Sequence, residues 1–166
     1  MTGTTAFRES AVTCGVSQTT LLMDIRRLPS SDGLPLPTYM TDGAAGMDLH
    51  AAVEASVTLE PGDVTLIPTG LALAIPTGFE AQVRPRSGLA ITHGIGMPNA
   101  PATIDSDYRG ELKVPLINLG RVAFTITRGM RIAQLVVAPV VRVTWHEVPE
   151  LPPTVRAAGG FGHSGL

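Results

Sequence analysis

Between residues 57 and 84 the chain alternates short apolar-polar runs with turns built from proline and glycine. The runs are residues 57–60, 64–67, 71–75 and 80–84, and they are closed by Pro61-Gly62-Asp63, Pro68-Thr69-Gly70 and Pro76-Thr77-Gly78. Proline sets φ for the turn and glycine accepts the positive φ that a tight reversal needs. Each run therefore reads as a strand. Further strand-like runs cover 112–119, 123–127 and 132–143. Short strands at this regular spacing predict a sandwich, barrel or jelly roll. One short helix is expected over 87–92, and the proline-rich stretch 147–153 should be an extended connector. Residues 1–20 are rich in Thr and Ser, hold no sustained period and read as a mobile tail, with Met23 a conceivable start. There is no internal repeat and no domain boundary.

Composition narrows the picture. A chain of 166 residues with 44% hydrophobic residues can bury one ordinary core. Its 18 glycines and 14 prolines disfavour long helices. A formal net charge of -2 leaves no electrostatic footprint for duplex nucleic acid or an anionic membrane. Arginine dominates the cations, and Lys113 is the single lysine. Cys14 is the single cysteine, so an internal disulfide or a cysteine zinc site is excluded, which suits a reducing cytoplasm. No apolar run is long enough to cross a membrane, and the first twenty residues lack the pattern of a secretory signal. The expected location is cytoplasmic.

Candidate chemistry concentrates in a few segments. Residues 104–111 place Asp105, Asp107 and Tyr108 ahead of Gly110, in a chain that is only 4% aromatic and 16% charged. A carboxylate beside a flat ring suits water activation next to a sugar or base, although a solvated turn has the same composition. Arg84-Pro85-Arg86-Ser87-Gly88 joins cations, a hydroxyl and a glycine that turns N–H groups outward. It reads as a phosphate cradle or as a strand end running into a helix cap. Asp48 lies in a hydrophobic alternation, where it either orients water around a metal or caps a turn. Gln134 follows a turn into a core strand as a phosphate donor. Gly159 to Gly165 is either a disordered tail or an arm whose Phe161 stacks on a base. It is neither a P-loop nor a dinucleotide fingerprint. The four histidines show no metal-ligand spacing.

In this order and at these spacings, the segments resemble the trimeric dUTP pyrophosphatase (dUTPase) family. The five motifs correspond to residues 45–49, 85–90, 104–110, 129–135 and 156–165, within a match from about residue 23 onward. The resemblance implies an all-β, distorted β-barrel or jelly roll, a homotrimer with a mobile C-terminal arm, Mg²⁺, and hydrolysis of dUTP to dUMP and pyrophosphate. It divides the chain into a tail (1–22), a β domain (23–148) and the arm (149–166). It makes Asp105 the water-activating base and Tyr108 the ring against deoxyribose. A uracil-reading hairpin starts at Asn99, includes Thr103 and Ile104, and has Lys113 on its return strand. Arg86, Ser87, Gly88 and Gln134 take the phosphates. Arg156, Phe161, Gly162 and Ser164 belong to the closing arm, and Asp48 acts on Mg²⁺ through water only. Ala102 and Ala157 stand where the family usually has glycine. Two rivals remain at this point: a dCTP deaminase-like or bifunctional enzyme of the same fold, and a non-catalytic nucleotide-sensing module.

Overall fold

The computed structural model describes residues 20–160. The expected tail therefore falls almost entirely outside the described residues, as do Phe161, Gly162 and Ser164. In chain order the strands begin with β1 (Asp24–Arg27), β2 (Met47–His50), β3 (Val57–Leu59), β4 (Val64–Pro68), β5 (Leu71–Ala74) and β6 (Phe79–Pro85). Helix α1 (Ser87–His93) follows, then β7 (Ile95–Gly96), β8 (Ala102–Ile104), β9 (Lys113–Asn118), β10 (Phe124–Ile126) and β11 (Arg131–Pro139). The fold is all-β and jelly-roll-like. Its largest sheet has the order β2-β11-β6-β8, and a second sheet has the order β4-β9-β7. Two small antiparallel pairs, β1-β5 and β3-β10, complete it.

The alternation explains the core. In β9 the buried positions are Val114, Leu116 and Asn118, while Lys113, Pro115 and Ile117 face outward. Leu49, Leu59, Ile67, Val83, Leu135 and their neighbours close one apolar interior between the sheets. Asn118 is the polar exception. Its side-chain amide donates to the carbonyls of Leu59 and Val122, and its oxygen accepts from Gly120 N–H, so burial leaves no group unpaired.

The runs over 57–84 form β3 to β6 as expected, and the helix runs one residue longer than expected. It stops where Gly94 takes φ 70° and returns its N–H to the Ala90 carbonyl. The run over 132–143 is shorter than expected: β11 ends at Pro139 because its partner β6 begins opposite, at Phe79. Asp48 lies within β2 and caps no turn. Strands β1, β7 and β8 are too short to show a period. Beyond β11, residues 140–148 run without regular structure, and all of them are exposed. Trp145 keeps 89% of its surface exposed in the single chain.

Candidate active site

Strand β8 pairs with the edge of β6, setting Ile104 opposite Ala81. The chain leaves the sheet at Asp105 and turns at once, with Tyr108 N–H donating to the Asp105 carbonyl at 3.1 Å. Arg109 clamps that turn by donating to the carbonyls of Ser106 and Tyr108, at 2.7 and 2.8 Å. The return strand β9 then brings Lys113 back beside the turn. The result is an open cleft of about 410 Å³. Thr103, Ile104, Asp105, Tyr108 and Lys113 line it, so five residues expected from the sequence meet there. Its volume is in the range of sites that hold a small molecule. Leu66, Glu111 and Leu112 complete the wall.

Asp105 also borders a second cleft, of about 220 Å³, with Asp107 and Arg142. It is exposed and forms no ion pair among the described residues. An exposed carboxylate between two open clefts is within reach of water and can receive a proton from it.

A second cluster forms elsewhere on the large sheet. Asp48 is only 3% exposed and lies between two guanidinium groups. Arg86 Nε is 3.2 Å from its Oδ1, and Arg131 Nη1 donates to Oδ2 at 3.1 Å. Arg86 is not aligned for a hydrogen bond, so Oδ1 keeps an unfilled acceptor position despite its burial. Gln134 sits opposite Asp48 on one side and Arg84 on the other. Ser87 and Gly88 open α1, where the first N–H groups have no intrahelical partner. His50 adjoins this cluster, opposite Arg131. Burial holds its pKa below the ordinary 6.5, the Arg131 and Arg86 charges add to that, and the Asp48 carboxylate opposes it.

The two clusters lie at opposite ends of β6. From Ala81, which pairs with Ile104, to Arg86 is five residues. A strand rise of ~3.3 Å per residue puts them about 17 Å apart. None of Arg86, Ser87, Gly88 or Gln134 lines the Asp105 cleft. Asn99 lies in an exposed turn before the cis Ala100-Pro101 bond and also stays outside that lining. Arg156 folds onto its own segment and donates to the Gly159 carbonyl at 2.8 Å.

The sequence profile of the dUTPase family matches residues 32–165. This chain belongs to the dUTPase family. The deoxyuridine 5'-triphosphate nucleotidohydrolase of Desulfotalea psychrophila is 64% identical over 136 residues, 82% of this chain and 91% of that one. The enzyme of the same name from a Thermoanaerobacter species is 53% identical, covering 88% of this chain and 99% of its own. Among solved structures, the dUTPase of Staphylococcus bacteriophage 80alpha with dUPNHPP superposes with a TM-score of 0.76 at 26% identity. That match covers 89% of this chain and all of the phage chain. The dUTPase of S. aureus phage phi11, whose structure shows a coordinated structural Mg(II) ion, shares the fold with a TM-score of 0.70 at 23% identity.

Membership favours dUTP cleavage over deamination. Several members of the site escaped the sequence reading, and besides Glu111 and Leu112, beside the turn, these include Arg131 and Leu66. Arg131 needed the register of β11 against β2 to show that it meets Asp48. Leu66 needed the pairing of β4 with β9 to reach the cleft. No spacing along the chain signals either contact. Among the described residues, no helix is long and apolar enough to cross a membrane.

Proposed function

We infer that this chain hydrolyses dUTP to dUMP and pyrophosphate, with Asp105 as the base. The observation that carries this reading is the cleft that brings Asp105, Tyr108 and Lys113 together in a member of the dUTPase family. Deoxyuridine enters against Tyr108, which leaves no room for a ribose 2′-hydroxyl. Backbone groups from Thr103 to Asp105 border the base. Asp105 takes a proton from a water aligned with the scissile phosphorus–oxygen bond. The water oxygen bonds to phosphorus as pyrophosphate departs with the bridging oxygen. Arg86, Ser87, Gly88 and Gln134 hold the phosphates and stabilise the charge that develops on them.

Mg²⁺ fits this donor set only through water. No group of three His, Cys, Asp or Glu among the described residues can hold a metal ion. The unfilled Oδ1 position of Asp48 suits a water donor. Magnesium retains several waters and favours phosphate oxygens, so a triphosphate can carry it in. When bound, it offsets phosphate charge as the pyrophosphate leaves.

The separation of the two clusters argues for an assembly. A ring of three copies would set the Asp105 cleft of one chain against the arginine cluster of the next. The exposed strip Val141, Val143 and Trp145 supplies apolar surface for such packing. Residues 149–166 would then form an arm that leaves one body and covers a site on another. Asn99 would face the base once the hairpin closes. Pyrophosphate release from dUTP, with dCTP, dTTP and UTP as controls, tests the chemistry, and light scattering tests the trimer. Equal turnover of dUTP and dCTP would defeat the substrate reading. A monomer active at every dilution would defeat the shared site.

A further inference from the structure

Glu111 follows the turn that carries Asp105 and Tyr108, and it is joined to more of the cleft than its position in the chain announces. Its backbone carbonyl accepts the Tyr108 hydroxyl at 3.0 Å. Its carboxylate Oε1 accepts Gly70 N–H at 2.9 Å, and Oε2 lies 3.6 Å from Lys113 Nζ. The next residue, Leu112, repeats the attachment: its carbonyl accepts the Thr69 hydroxyl at 2.6 Å and its N–H donates to the Leu71 carbonyl at 2.7 Å. Gly70 is itself closely confined. It takes φ +66°, and a Cβ there would lie 2.6 Å from both Ser31 Cβ and Ser31 N. Its carbonyl accepts Leu28 N–H at 2.8 Å. Gly110 completes the arrangement. The Tyr108 ring folds over its backbone so closely that a Cβ would stand 2.6 Å from Cζ and overlap the hydroxyl.

We propose that Glu111 is a positioning residue for nucleoside recognition, tying the Tyr108 ring and the Lys113 head to the fixed Gly70 turn, with Gly110 as the platform that lets the ring lie down. This rests on reading the cleft as the deoxyuridine site. The Glu111–Gly70 bond carries most of the anchoring, because it is partly buried and accepted by a charged group. The Lys113 pair is exposed and only restrains the ammonium. A tyrosine held on both sides excludes a 2′-hydroxyl sharply, whereas a ring free to rotate yields to it.

The test compares the full-length parent with Glu111→Ala, Glu111→Gln and Gly110→Ala. It uses dUTP and UTP kinetics together with amide hydrogen exchange at Gly70. Glu111→Ala should raise the Gly70 exchange rate, raise KM for dUTP about tenfold as one charge-assisted hydrogen bond is lost, and lower the dUTP preference, with kcat nearly unchanged. Glu111→Gln keeps an acceptor for Gly70 N–H and should retain Gly70 protection and most of the preference. Gly110→Ala should lower the preference while leaving Gly70 protected. Unchanged Gly70 exchange in Glu111→Ala would overturn the anchor. Raised exchange with an unchanged dUTP-to-UTP ratio would overturn the positioning role. A glutamine variant that keeps Gly70 protected yet loses the preference as fully as the alanine one would separate the preference from the bond and overturn the positioning role. A parent without dUTP turnover would instead remove the substrate reading, and this role with it, while the Gly70 result still reported on the bond itself.

Discussion

Asp48 and Asp105 are the two carboxylates on which the site turns, and their surroundings are opposite. Asp48 is buried and shared by two arginines, so its charge is already spoken for. Asp105 stands at the rim of two clefts with no ion pair among the described residues. A carboxylate clamped between guanidinium groups fixes those cations in place. A carboxylate left in reach of water can serve as a base. The sequence presents each as an acid near a glycine; burial and partners separate their roles. The same sheet supplies both environments because Arg86 follows the end of β6 on one side and Asp105 leaves β8 on the other.

The sharpest way to break this contrast is Asp105→Asn. An amide cannot accept the proton, so turnover should fall on the order of 10²-fold or more while the fold and nucleotide binding persist. Near-parental turnover would move the base to another residue, with Asp107 first in line. Removing the other carboxylate should act on stability. Asp48→Ala leaves two guanidinium groups without their shared acceptor, but both side chains reach solvent, at 26% and 45% exposure. The expected loss is therefore about 2 kcal/mol, at the level of one charged hydrogen bond. Urea unfolding measures it, and a midpoint equal to the parent's would show that Asp48 does not hold the cluster together.

A smaller effect is expected at the sugar. Tyr108→Ala opens the cleft beside Asp105 and should reduce the preference for dUTP over UTP about tenfold, the scale of one small group in a pocket. Measuring both substrates in mutant and parent decides it, and an unchanged ratio removes Tyr108 from sugar selection. The smallest effect is at His50, beside Asp48. Its folded pKa is depressed, so below pH 6.5 the unfolded chain binds more protons at this position than the folded one. Stability present above pH 6.5 is therefore lost as pH falls toward the folded value. Thermal melts between pH 7.5 and about 5.5 should show a small decline that His50→Gln reduces. An identical decline in both proteins would assign it to other groups.

Much of this was legible along the chain because strands announce themselves by alternation and turns by proline and glycine. The runs from 57 to 84 and the helix after Arg86 needed nothing more. The cleft was legible because Thr103 through Tyr108 sit within six consecutive residues and Lys113 returns on the next strand. The ion pairs of Asp48 were not, since they join β2 to Arg86 just past β6 and to Arg131 on β11, the latter across 83 positions of sequence. Strand β8, with three residues, has no measurable period, yet it delivers Asp105 to its place. Ala157 carries a further cost that composition alone does not reveal. It takes φ 43°, a conformation in which a Cβ is strained and glycine is not.

Trp145 gives the molecule an optical property. It is the single tryptophan of the chain, and in one copy its indole stands almost fully in water. Ultraviolet emission excited at the indole band therefore comes from one known place. A red-shifted, readily quenched signal marks an uncovered segment, and a blue-shifted, protected one marks a segment under another surface. Dilution of the unlabelled protein in a fluorimeter would thus follow the covering of residues 140–148 directly, without touching either carboxylate.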